Sequence, residues 1–219
     1  MKRFLFWGFF ICCSFCFCQN DALSYLALGD SYTAATSELP QNGWPQQLVT
    51  YLNKKKIDVK DPLVIAGPGW TTEKLLDEVQ KKGLGNDFGL VSLMIGVNNQ
   101  YRGLDFDGFK KEFLKLLQKS ITFTGGDASH VVVVSVPDWS VTPFAKFKNK
   151  AKITKELKNY NTFIQTEAKK NGALFVDVTP ASKNMAIDKT LIATDSLHPS
   201  KKMYRIWAKK VGRELLKTL

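Results

Sequence analysis

Two short segments near opposite ends of the chain hold residues that could act together. In Ala27-Leu28-Gly29-Asp30-Ser31 a serine follows an apolar run, and in Asp195-Ser196-Leu197-His198-Pro199 a carboxylate stands three residues before an imidazole. A hydroxyl, an imidazole and a carboxylate are the parts of nucleophilic acyl transfer: the base takes the hydroxyl proton and the acid orients the base. The chain has two histidines, His130 and His198, so few candidates compete for the base. Each segment also has a plainer reading. Asp30-Ser31 fits a cap on the following segment, and the 195–198 segment fits a polar loop with a surface histidine. A tight turn over four residues would nonetheless bring Asp195 to one ring nitrogen of His198 and leave the other facing a nucleophile. Pro199 biases His198 toward extended backbone, and Gly29 would let the chain turn sharply at a strand end. His130 opens an apolar run and reads as a structural or rim residue.

Two further loops carry groups suited to an oxyanion. Gly67-Pro68-Gly69-Trp70-Thr71-Thr72 joins an apolar run to a helical one. A free backbone N–H near Gly69 could stabilise developing negative charge, while Thr71 or Thr72 would cap the helix. As a dinucleotide fingerprint this segment fails, since it lacks the third glycine and a suitably spaced acid. In Gly96-Val97-Asn98-Asn99 a side-chain amide can donate a second hydrogen bond, although an ordinary Asn-rich turn reads the same way.

The elements that must position these groups alternate along the chain. Strands are expected at Ser24–Leu28, Leu63–Ala66, Leu90–Ile95, Val131–Val136 and Ala173–Val178. The fourth is almost wholly β-branched, as expected of a strand buried on both faces. Helices are expected at Trp44–Lys55, Thr71–Lys82 and Asp105–Lys119, then around Ile153, Leu157, Tyr160 and Ile164 up to an Asn171-Gly172 cap. A last helix carries Met203, Trp207, Val211 and Leu215 at four-residue steps. Such alternation implies a parallel sheet wrapped by helices on both faces. Ligands of open α/β sheets bind outside the carboxyl ends of the strands, which would gather Ser31, Gly69 and Asn98 at one rim. Trp44, Trp70, Tyr101, Trp139 and Phe144 fall on or near those loops, as acyl-pocket or packing residues.

Composition bounds the rest. At 219 residues and 44% hydrophobic content the chain fits one domain with a sizeable core. Residues 1–18 have the basic start and short apolar run of a secretory signal peptide, short for a membrane span, with a retained N-terminal anchor left open. All four cysteines, Cys12, Cys13, Cys16 and Cys18, lie inside it, so cleavage after Cys18 would leave an exported domain at 19–219 without thiols. A lipid anchor on one of them is the rival reading. The formal charge of +11 comes mostly from scattered lysines. Arginine, the preferred fork for bases and phosphates, is scarce, so no nucleic-acid partner is expected. Adhesion to an anionic membrane or wall polymer stays open.

Taken together, the four segments resemble the SGNH, or GDSL-type, hydrolase family. Gly29-Asp30-Ser31-Tyr32, Gly69, Gly96-Val97-Asn98-Asn99 and the 195–198 segment match its four blocks in order, and the likeness covers nearly the whole chain beyond residue 18. Stretches such as Ile95–Gly103 and Ala193–Ser200 look like a bacterial esterase or lysophospholipase-like branch. The resemblance implies a three-layer α/β/α, flavodoxin-like fold with a five-stranded parallel sheet. It implies Ser31 as nucleophile, His198 as base, Asp195 as its orienter, and an oxyanion hole from the N–H groups of Ser31 and Gly69 with the Asn98 side chain. The implied activity is hydrolysis of carboxylic esters of a lysophospholipid, acyl or acetyl kind, with no cofactor and no metal. A binding module for glycan or lipid on the same fold, and an acyltransferase, are the other readings. The chain departs from the family pattern at Ala66-Gly67, Asn99 and Tyr32, none of which removes a catalytic atom.

Overall fold

The most β-branched run of the chain forms β4, Val131–Val134, and all four of its residues are buried. In the computed structural model, which describes residues 22–218, four other strands flank it: β1 (Tyr25–Gly29), β2 (Leu63–Ala66), β3 (Leu90–Met94) and β5 (Leu174–Val176). The expected leader and its four cysteines lie outside the described residues. All pairings are parallel, in the order β2-β1-β3-β4-β5. The inner strands β1, β3 and β4 are buried along their whole length, whereas β2, at an edge, exposes Leu63 and Val64. Every strand expected from the sequence is present. β4 ends two residues early because Asn161 takes over its backbone pairing: the side-chain amide donates to the Val136 carbonyl and its oxygen accepts the Val136 N–H, both at 2.8 Å.

Helices α1 (Trp44–Lys54), α2 (Thr72–Lys81), α3 (Val97–Tyr101), α4 (Phe106–Phe123), α5 (Lys150–Lys170), α6 (Thr179–Ser182) and α7 (Lys201–Leu215) complete the fold. The Thr71 hydroxyl accepts from Lys74 N–H and caps α2, and Gly172 at φ +79° closes α5. In α7 the stripe Met203, Trp207, Val211 and Leu215 is fully buried, each side chain contributing about 1.5–3 kcal/mol relative to exposure. That helix packs against α1 on one face of the sheet, and α2, α4 and α5 lie side by side on the other. The result is the three-layer α/β/α arrangement. Helix α3 and the extension of α4 to Phe123 go beyond what the sequence pattern suggested.

Strand order decides where a ligand can sit. From β1 the chain moves outward to β2, then returns across β1 to β3 on its other side. The loops leaving β1 and β3 therefore diverge to opposite faces and open a crevice at the carboxyl end of the sheet. The first carries Ser31, and the second leads directly into α3 with Asn98.

Candidate active site

The turn after β1 is tight. Thr33 and Ala34 N–H donate to the Asp30 carbonyl, and Thr36 N–H to that of Ser31. Gly29 is required there, since a Cβ would lie 2.6 Å from the Met94 carbonyl oxygen. Asp30 does not cap a helix. Its carboxylate is buried and accepts the Tyr32 N–H at 3.0 Å. Burial pushes it up to about 7, opposed by hydrogen bonds from the Tyr32 and its own backbone N–H. Ser31 is left at the crest, 6% exposed.

The 195–198 segment forms the four-residue turn that its spacing suggested. Ala193 N–H donates to the His198 carbonyl and Ser196 N–H to that of Ala193, with Ser196 in the left-handed region at φ +66°. One Asp195 oxygen accepts the N–H groups of Leu197 and His198 at 2.9 Å, and the other meets His198 Nδ1 at 2.5 Å. Partial burial pushes the Asp195 carboxyl up. Hydrogen bonds from Ser37, His198 and the two backbone amides outweigh that and hold it below the usual carboxylate range. With Nδ1 engaged, Nε2 is the ring nitrogen left for a nucleophile.

Ser31 and His198 line one pocket of about 190 Å³, together with Gly69, Asn98 and an apolar wall of Tyr101, Trp139, Phe144 and Leu197. No hydrogen bond joins the Ser31 hydroxyl to His198; such catalytic bonds commonly tighten only when substrate is present. Three donors retain capacity for a further acceptor. Among the described residues neither the Ser31 nor the Gly69 N–H has a partner, and Asn98 Nδ2 spends one hydrogen on the Trp70 carbonyl at 2.9 Å and keeps the other. Gly69 adopts φ +75°, a conformation that favours glycine, and its carbonyl is gripped by Arg102 at 2.6 Å. Asn99, where the family pattern has aspartate, is buried; it accepts the Thr72 N–H and donates to the Thr72 hydroxyl, tying α3 to the loop that carries Gly69.

The rim aromatics divide. Tyr101, Trp139 and Phe144 form one cluster with ring centroids 5.5–6.1 Å apart. Trp44 is a core residue at the start of α1, and Trp70 packs over Gly67; neither lines the pocket. His130 lies before β4, at the amino end of the sheet and away from the rim. Two contributors had no sequence signal. Ser37 Oγ donates to Asp195 at 2.5 Å from a left-handed backbone at φ +68°, and the Tyr32 ring meets His198 edge-on at 5.5 Å. Among the described residues, no group of three or more His, Cys, Asp or Glu is arranged to hold a metal ion.

Residues 27–206 match the profile of the GDSL-like lipase/acylhydrolase family. The chain belongs to that family. Membership makes it a carboxylic ester hydrolase. An acetyl xylan esterase variant from Geobacillus stearothermophilus is similar in structure, with a TM-score of 0.69 and 18% identity over 88% of this chain and 94% of the other. A lipase/acylhydrolase from Enterococcus faecalis gives 0.66 at 17% identity over 88% and 95%. A psychrotrophic esterase from Pseudoalteromonas sp., solved inhibited by monoethylphosphonate, gives 0.65 at 18% over 89% and 97%. No curated protein sequence matches the chain. Among the described residues, no helix is long and apolar enough to cross a membrane.

Proposed function

We propose that the protein is an exported serine esterase acting on short acyl esters through an acyl-enzyme. The observation that carries this is convergence on one pocket: a serine hydroxyl, an imidazole fixed by a carboxylate, and three hydrogen-bond donors with capacity to spare. Ser31 Oγ attacks the ester carbonyl while His198 Nε2 takes its proton. The carbonyl oxygen becomes an oxyanion held by the Ser31 and Gly69 N–H groups and Asn98 Nδ2. Collapse breaks the bond to the alcohol, which leaves with the proton from His198. Water then repeats the sequence on the acyl-Ser31 ester and releases the acid. Asp195 keeps the imidazole in the tautomer that presents Nε2 and stabilises its cationic form.

The volume of about 190 Å³ lies below the roughly 300–1,000 Å³ typical of drug-sized ligands. A small acyl group, acetyl above all, fits against Tyr101, Trp139 and Phe144 better than a lysolipid tail. Export rests on the leader at residues 1–18. A series of p-nitrophenyl esters from acetyl to palmitoyl tests the reading. Turnover is expected to fall with chain length and to drop about 10⁶-fold in Ser31→Ala. A Ser31→Ala protein as fast as wild type ends it.

A further inference from the structure

Charge outside the pocket is unevenly compensated. Lys74, Lys81, Lys110, Lys202 and Lys217 each reach a carboxylate within 3.0 Å. Lys201, Arg205 and Lys209, at four-residue steps along α7, and Lys54 on α1 are exposed and pair with none among the described residues. These four cations line a single groove of about 490 Å³ between the two helices. The helices approach closely: a Cβ on Gly212 of α7 would collide with the Tyr51 ring of α1. Four like charges around one concavity repel each other unless an anion lies among them.

The remaining lining narrows the choice of anion. Gln41, Asn42 and Thr50 add uncharged polar groups to the groove. Gln41 is exposed, and Asn42 donates one side-chain amide hydrogen to Glu38 and keeps the other. Such groups suit hydroxyls. Nucleic acid would call for aromatic platforms and arginine forks, whereas the lining holds one arginine and one half-buried tyrosine. A bilayer surface is flat on this scale and would not follow a groove.

Position links the groove to the pocket. Both helices begin at the carboxyl end of the sheet, α1 after the Ser31 turn and α7 three residues beyond His198. At that end Gln47 donates to the Lys201 carbonyl at 3.1 Å, and Lys201 N–H to Glu38 at 2.8 Å. The residue before Glu38 is Ser37, which holds Asp195. A chain lying in the groove would thus meet the rim on the Asp195 side.

We propose that the α1/α7 groove binds a linear acidic polysaccharide, a hydroxyl-rich chain bearing carboxylates, and that the esters presented to Ser31 are carried on such a chain. This rests on the serine-esterase reading for its second half only. The test uses the protein and a Lys54→Glu/Arg205→Glu/Lys209→Glu variant, none of whose changes touches the pocket. Polygalacturonate serves as the anionic probe and dextran as the neutral one, in affinity electrophoresis and calorimetry. Wild type should bind polygalacturonate and not dextran, and the variant should bind about 100-fold more weakly. Acetate release from acetylated polygalacturonate should fall in parallel, with p-nitrophenyl acetate turnover unchanged. Equal binding by the variant overturns the proposal, as does tighter binding to phosphatidylglycerol vesicles or single-stranded DNA than to polygalacturonate. Loss of p-nitrophenyl acetate turnover in the wild type with binding intact would instead fell the esterase reading and leave the groove standing.

Discussion

The turn that carries Ser31 and the turn that carries His198 each hold an aspartate, and they treat it in opposite ways. Asp30 is 1% exposed and has two backbone N–H donors, so burial wins and lifts it to about 7. Asp195 is only partly buried and gathers two backbone amides, a serine hydroxyl and an imidazole, so hydrogen bonding wins and holds it low. Donor number against desolvation decides which carboxylate is reliably ionised. Only the one that stays charged can steady an imidazolium. Asp30, although adjacent to Ser31, is built into the turn through the Tyr32 N–H.

Substitutions can break this contrast, and the largest effects should come from the His198 side. His198→Ala should cost about 10⁶ in kcat and Asp195→Asn about 10⁴, by analogy with measured triads. Asp30→Asn, which keeps an acceptor for Tyr32 N–H, should leave kcat within about tenfold. Similar losses at Asp30 and Asp195, measured with p-nitrophenyl acetate, would erase the distinction. Asn98→Ala should remove one oxyanion donor and cost about 10²–10³ in kcat with little change in KM.

Ser37→Ala sharpens the account of Asp195. Losing one hydrogen bond to a charged group should lower kcat about tenfold and leave KM unchanged. A change in KM alone would assign Ser37 to binding. The last prediction concerns Asp30 and stability rather than catalysis. An unfolded aspartate titrates near 3.9 and the folded one near 7. Its stabilising contribution is therefore full below the lower value and is lost as pH rises through the upper one, by at most about 4 kcal/mol. Urea midpoints between pH 4 and 8 should decline in wild type more steeply than in Asp30→Asn.

How far the sequence carried depended on the range of the interaction. Strands with β-branched runs and helices with a buried stripe are local patterns, and Val131–Val134 and α7 emerged where those patterns lay. So did the 195–198 turn, whose spacing is itself the geometry. Helix α3 is only five residues long, too short for a 3.6-residue period to register, so Asn98 read as part of a loop. Trp44 looked like a rim residue because it follows the nucleophile loop, yet it is the first core residue of α1. The bond from Ser37 to Asp195 spans 158 positions and leaves no trace in either segment. The cations of α7 did not stand out among scattered lysines, and that they share a groove with Lys54 depends on where α1 packs.

The most direct test is to treat the protein with a fluorophosphonate and map the adduct by mass spectrometry, in wild type and in His198→Ala. Stoichiometric, rapid modification of Ser31 that slows by orders of magnitude without the imidazole is the expected result. An unmodified Ser31, or labelling indifferent to His198, would contradict the assignment of these two residues as nucleophile and base.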